Sequence, residues 1–354
     1  MKNKTGKVLF FLLLICSSCT SIHQFSIDVQ EPALVTLPVS AQNVLIIDNI
    51  ITQPNDYGID RTYEGVSLQT YPLSMDSLVW SAIAEIAAVL NESHFFNTIA
   101  VYQKSLRKDT QWLSRSYLTP EIQSAFYDID NYDALLVIDR LAFSLKESVK
   151  TIRTGGLFAD DPTAFVDLRT DGMLSCTMYS YGNEKPVSSF TVFDSLFTKS
   201  TVENDSMFLF KKIPEFMLHE LSSTMGNKAA KRFIPTWKTE ERMLYLGYNS
   251  RMQEATGYAS NHQWADAESI WIAEMGKKTK PVDKAKIAYN VAVANEMQDK
   301  MEPALRWAKN AKDYWKNANQ DKYSQEIGLT DKYITELEQR IRNNRLLDLQ
   351  WGKE

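Results

Sequence analysis

Asn43-Val44-Leu45-Ile46-Ile47-Asp48 is a continuous apolar run closed by polar residues at both ends, a pattern that predicts a strand buried on both faces. After a polar, Tyr-rich loop, residues 74–90 set Leu78, Val79, Ala82, Ile83, Ile86, Ala87 and Leu90 at a 3.6-residue period, and Asp76 and Ser77 suit a helix start. Thr98-Ile99-Ala100-Val101-Tyr102 predicts a second strand. Thr119-Pro120-Glu121 opens another helix, with a capping hydroxyl and a proline at its first position, continued by Ile122, Ala125, Phe126 and Ile129. Ala134-Leu135-Leu136-Val137-Ile138-Asp139 is a third buried strand. The period then falls to two. Residues 141–150, 163–181 and 187–198 alternate, as in Phe165, Asp167 and Arg169 against Val166, Leu168 and Thr170, and predict antiparallel strands. Thr170-Asp171-Gly172 and Tyr181-Gly182-Asn183 read as turns, and a helix from Ile213-Pro214-Glu215 to about Lys231 carries Leu218, Leu221, Met225 and Ala229 on one face.

Beyond Pro235-Thr236-Trp237 the composition shifts to Ala, Trp, Lys and Glu, and a repeat begins. Aligning Ala255 with Ala292 also aligns Ala267 with Ala304, Trp264 with Met301 and Ile270 with Trp307, all at an offset of 37. This phase resembles the tetratricopeptide helix pair, in which small residues sit where two helices cross. Asn261-His262 and Asp299-Lys300 occupy the turns where that family usually has glycine, and Lys277-Lys278-Thr279-Lys280-Pro281 supplies a longer loop. A last amphipathic helix over residues 330–347, with Ile334, Leu337, Ile341 and Leu346, would cap the array. The predicted fold class is therefore α+β: a mixed α/β sandwich over residues 42–236, then an all-α, tetratricopeptide-like helical domain over residues 237–354. The element order of the first part is similar to small α/β domains of envelope lipoproteins of the curli-secretion and penicillin-binding-protein-activator types, a likeness of fold without function.

The first residues carry an address. Three lysines precede the apolar run Val8 to Ile15 and then Cys16-Ser17-Ser18-Cys19, too short a run to span a bilayer and right for a removable export signal. Ser17-Ser18-Cys19 resembles a bacterial lipobox. The resemblance implies cleavage after residue 18, acylation of Cys19 and anchoring of the chain in a lipid bilayer. No acidic run follows Cys19, so the expected location is the outer membrane, facing the periplasm. Residues 19–41, interrupted by Pro32 and Pro38, are expected to form an extended tether.

Net charge is −5 at pH 7, and losing the three lysines of the signal makes it about −8. That balance speaks against a nucleic-acid partner, and Lys228, Lys231 and Arg232 read as a solvated helix end. Of three cysteines only Cys176 remains after lipidation, in a strand where a small buried hydrophobe is expected. His23, His94, His219 and His262 fall in separate elements, and His219-Glu220 lacks the second histidine of a zinc-protease helix because position 223 is Ser. There is no Gly-x-Ser-x-Gly elbow and no complete phosphate loop at Gly226-Asn227-Lys228. Thr154-Gly155-Gly156 with Asp160-Asp161 reads as a turn. Tyr57, Tyr63, Tyr71 and Trp112 lie in predicted loops, where packing is a commoner use than sugar stacking. No catalytic, metal or cofactor signature emerges.

The chain as a whole resembles uncharacterised lipoproteins of Bacteroides-like bacteria that join a domain of unknown function to tetratricopeptide-like helices. The resemblance rests on Ser17-Ser18-Cys19, on Lys231-Arg232-Phe233-Ile234-Pro235-Thr236-Trp237 leading into Glu241-Arg242, and on the Ala-spaced helices. The expected function is a non-enzymatic, lipid-anchored adaptor of the envelope that binds a protein partner in the groove of its repeat, through Tyr248, Arg251, Tyr258, Tyr289 and Asn295. The alternative is a glycan- or small-ligand-binding protein, or an enzyme, with its site in the α/β domain.

Overall fold

The computed structural model describes residues 22–54, 57–68, 73–104, 106–107, 109–152, 163–202, 215–247, 249–278 and 280–353. Along the chain the elements are β1 (Ile22–Glu31), β2 (Asn43–Asp48), β3 (Ile59–Tyr63), β4 (Val66–Ser67), α1 (Met75–Glu92), β5 (Thr98–Tyr102), α2 (Pro120–Asp130), β6 (Ala134–Ile152), β7 (Thr163–Ser180), β8 (Ser188–Val202) and α3 (Glu215–Ala230). They continue with β9 (Thr236–Tyr245), α4 (Ser250–Ser260), α5 (Trp264–Lys277), α6 (Pro281–Glu296), α7 (Met301–Asn319) and α8 (Ser324–Gln350). Two compact units result: residues 32–236 with 349–354, and residues 22–31 with 237–348.

In the first unit β2 runs parallel to β5 on one side and to the start of β6 on the other, with Val44 opposite both Ile99 and Ala134. β3 continues along the same edge of β6, Ile59 opposite Leu145. Gln53 fills the gap between them: its carbonyl accepts from Phe143 N at 2.8 Å and its amide donates to Phe143 O at 3.0 Å, so the side chain replaces a strand residue. Glu64 and Gly65, both left-handed at φ 47 and 83, turn the chain back into β4. β6, β7 and β8 form a long antiparallel extension. One face of the sheet buries Val44, Ile46, Leu136 and Ile138 against Leu78 and Ile83 of α1 and Leu218 and Met225 of α3. The opposite face buries Leu45, Ile47, Leu135 and Val137 against Leu118 and Phe126. The unbroken apolar runs of β2 and β6 thus have a covering layer on each side, each fully buried side chain contributing roughly 1.5–3 kcal/mol.

Two expectations change here. Thr170-Asp171-Gly172 is no turn; it lies inside β7. The glycine is there for packing, because a Cβ at Gly172 would come 2.8 Å from Met225 Cε and 3.0 Å from Leu221 Cδ2 of α3. The other turn signal lies in a turn, with Gly182 at φ +81. Residues 22–41 are more than a tether: residues 22–31 form β1, while Val35, Leu37 and Ala41 enter the core and Gln350 bonds both Ala33 N and Ala33 O. Cys19 itself, Thr154-Gly155-Gly156, Asp160-Asp161, Ile213-Pro214 and Tyr71 lie outside the described residues.

In the second unit α4–α5 and α6–α7 are helical hairpins, followed by α8. Ala255, Ala292, Ala267 and Ala304 are all fully buried. The turns are repeated too: His262 and Asp299, 37 apart, are left-handed at φ 59 and 60, a conformation that costs a residue with a Cβ about 1 kcal/mol. The unit is not all-α. β9 pairs with β1 in a two-stranded ribbon. Ser26 Oγ donates to Glu241 at 2.8 Å and Thr239 Oγ1 to Asp28 at 2.7 Å, so the strands run antiparallel. A lone two-stranded ribbon is marginal in water, and this one is held by helices.

Candidate functional site

Strand β9 is held against the helices by side chains of α6. Asn290 of α6, fully buried, accepts from Tyr245 N and donates to Tyr245 O, each at 2.8 Å. Upstream on β9, Arg242 forks onto Glu296 of α6, with Nε and Nη2 each 2.8 Å from a carboxylate oxygen. Both side chains are almost completely buried. Tyr333 OH donates to the same carboxylate at 2.8 Å, Arg340 bonds it as well, and Glu240 and Glu336 take further protons of Arg242. Burial works against the charge of Arg242, but these bonds raise its pKa well above the usual arginine value.

The residues expected to line the groove are dispersed. Tyr289 is buried on α6, edge-on to Tyr245 and tilted against Tyr333, and burial pushes its hydroxyl well above the ordinary tyrosine range. Asn295 is buried and donates to Glu268 and to Val291 O, both at 2.8 Å, so it braces the helices. Tyr258 is half-buried against the helical core, Arg251 is exposed and pairs with Glu254, and Tyr248 lies outside the described residues. What stays open beside the ribbon is a cleft of about 190 Å³ between Gln24, Tyr289, Leu329, Lys332 and Glu336.

A second opening, of about 260 Å³, lies in the sheet unit between Asp48, Asp76, Trp80, Ile83, Val101 and Gln103. Topology explains it. From β2 the chain passes through β3 and β4 to α1 on one face of the sheet; from the adjacent β5 it leaves for α2 on the other face. Where neighbouring strands send their connections to opposite faces, the loops part and leave a crevice outside the carboxyl ends, the usual ligand position in open α/β sheets. Asp48 ends β2, Val101 and Gln103 mark the end of β5, and Asp76 and Trp80 lie in the first two turns of α1. Trp80 is 49% exposed. Burial pushes the Asp48 carboxyl up and the charge of Asp76 adds to this, while the Ile50 N–H bond works the other way.

Comparison with known families gives a match over residues 41–245, more than half the chain, to a domain of unknown function, DUF8603. The chain belongs to the DUF8603 family. A second match, over residues 253–339, is to a domain of unknown function, DUF6340. The DUF8603 segment thus includes β9, which packs with the helical unit. No curated protein matches the chain. Among solved structures it is similar to a Xanthomonas campestris protein of family DUF330, 11% identical over 55% of this chain and 84% of that one, with a TM-score of 0.24. A putative neuraminyllactose-binding hemagglutinin homolog from Helicobacter pylori is 10% identical over 56% of this chain and 87% of its own, also at 0.24. At that score neither carries an argument.

Elsewhere in this DUF8603 chain, His219 Nδ1 is 2.7 Å from Ser81 Oγ, a contact between α3 and α1. Among the described residues no three His, Cys, Asp or Glu side chains are grouped to hold a metal ion. Cys176 is fully buried and its thiol is pushed up by burial. Tyr57 stacks edge-on against Trp112 at 4.6 Å, and Tyr63 lies in β3. Sequence reasoning missed the cleft because Asp48, Trp80 and Gln103 come from three elements; only the change of side between β2 and β5 hints at it.

Proposed function

We propose that the protein is a lipid-anchored envelope protein that binds a small, polar, ring-shaped ligand, of the size of a sugar unit, in the cleft at the carboxyl ends of β2 and β5. The observation that supports this is the coincidence of that cleft with the topological switch point. Trp80 offers an indole face for stacking, and Asp48, Asp76 and Gln103 supply acceptors and an amide for hydroxyl or amino groups. The role is recognition, without catalysis. Acylation of Cys19 would hold the chain at the outer membrane facing the periplasm, as in Bacteroides-type lipoproteins, and Cys19→Ala would release it. Titration calorimetry with mono- and disaccharides of cell-wall type tests the site. Binding weakened tenfold or more in a folded Trp80→Ala variant is expected; no heat from any sugar, or full affinity in that variant, would overturn it.

A second reading, the adaptor, has its own observation. Among the described residues β1 pairs with β9 alone, so its outer edge lies open beside the cleft of Gln24, Leu329 and Lys332. A partner's extended segment would add as a third strand to the ribbon of this tetratricopeptide-like unit. A photo-crosslinking residue at Gln24 that captures a discrete envelope protein would support it; capture equal to that from an exposed site such as Arg251 would sink it.

A further inference from the structure

Two arginines in the sheet unit stand close together, and among the described residues neither is in an ion pair. Arg115 Nη2 donates to Phe190 O at 2.7 Å and to Thr191 Oγ1 at 2.9 Å. Thr191 Oγ1 is 2.9 Å from Ser175 Oγ, which in turn accepts from Arg140 Nη2 at 3.0 Å and Nε at 3.2 Å. Arg140 Nη1 also donates to Leu113 O. The two guanidinium groups are therefore joined by a row of two hydroxyls across β6, β7 and β8, and among the described residues each donates to neutral acceptors. Among the described residues neither forms an ion pair with a carboxylate. Both are half-exposed, and among the described residues the Nε and Nη1 protons of Arg115 have no acceptor.

Beneath them, at the one register shift between β6 and β7, lies Asp139. It is fully buried; Oδ2 accepts from Thr177 Oγ1 at 2.6 Å, and Oδ1 has no partner. Ser189 donates to Thr177, adding a second hydroxyl row beside the first. Burial raises Asp139 to about 6, against the pull of Arg115, Arg140 and Arg107. Around neutrality a carboxylate there offsets one of the two half-exposed cations and leaves a positive excess. A β-bulge commonly re-aims side chains next to a site.

We propose that Arg115 and Arg140, with Thr191 and Ser175 between them, form a binding site for an oxyanion, a phosphate or sulfate group carried by a small molecule or a lipid head. Paired guanidinium forks over hydroxyls supply the charge-assisted donors that such groups take. This site is separate from the Trp80 cleft and stands or falls without it.

The test uses the purified full chain, with sulfate, inorganic phosphate and vesicles of phosphatidylglycerol or phosphatidylcholine as probes. Sulfate or phosphate titration, or flotation with phosphatidylglycerol and not phosphatidylcholine, is expected to show binding. Arg115→Gln and Arg140→Gln, shown folded by circular dichroism, are expected to lose it at least tenfold, and Arg169→Gln, an exposed arginine paired with Asp171, to keep it. Response to the soluble anions alone identifies a free oxyanion ligand, and response to the vesicles a headgroup; either supports the site. No binding to any probe, or equal loss in Arg169→Gln, overturns it. Should the Gln variants misfold, Arg140→Lys keeps the charge and removes the fork; binding undiminished in that variant also overturns the proposal.

Discussion

Asn290 is the partner strand of Tyr245. Its carboxamide offers one donor and one acceptor at the spacing of a peptide group and satisfies both backbone groups of a strand residue that β1 leaves facing a helix. Asn290→Ala would strand a buried N–H and a buried C=O, a cost of about 2–4 kcal/mol. Urea unfolding measures the loss, and amide exchange at Tyr245 should accelerate beyond that of neighbouring β9 amides. An unchanged Tyr245 amide would show that Asn290 is not what holds it.

The Arg242–Glu296 pair should behave asymmetrically. Removing one partner takes the fork from a buried charge and leaves it to Arg340 or to Glu240 and Glu336, so Arg242→Met or Glu296→Gln alone is expected to cost about 3 kcal/mol, the low end for a buried pair. The double variant should lose less than the sum, because no uncompensated fork remains at that position. A double-mutant cycle with no coupling would contradict the geometry.

Two glycines separate close backbone approach from flexible packing. A Cβ on Gly226 would meet Ala82 O of α1 at 2.5 Å, whereas on Gly172 it meets the end of Met225. Gly226→Ala should therefore destabilise by about 1–3 kcal/mol despite the better helix propensity of alanine, and Gly172→Ala by less. Thermal midpoints of the two variants decide the order.

Asp139 should make the sheet unit sensitive to pH. Its folded value, about 6, lies above the ordinary 3.8, so the neutral form is the one the fold favours. The contribution is complete below about pH 4 and is lost as pH rises through 6, on the order of 2–3 kcal/mol in all. Asp139→Asn should match the wild type near pH 4 and exceed it in urea midpoint near pH 7.5. A difference independent of pH would remove Asp139 as the cause.

How much of this was legible in the sequence depended on whether a residue's role was local. The runs at 43–48 and 134–139 and the helix at 75–92 follow from periodicity, since burial on two faces or one leaves its own pattern. The alanines of the helical hairpins did the same at an offset of 37. Gly172 misled because a glycine after Thr-Asp signals a turn locally, while its use is the approach of α3 from far along the chain. β1 alternates like a strand, but its partner lies at residues 236–245, and Asn290, Glu296 and Tyr333, which help hold that pair, lie further on still. The Trp80 cleft and the Arg115–Arg140 pair belong to topology, which a single chain read in order does not display.

The helical unit is split in the sequence: its first strand precedes the sheet unit and everything else follows. During synthesis β1 emerges early and stays without a ladder partner until residues 236–245 are made, and the ribbon stays unsupported until Asn290 and Glu296 arrive. The sheet unit, in turn, is closed only by the last residues, since residues 349–354 belong to it and Gln350 bonds Ala33. A chain that stops short of residues 236–245 therefore carries β1 with no strand to pair with.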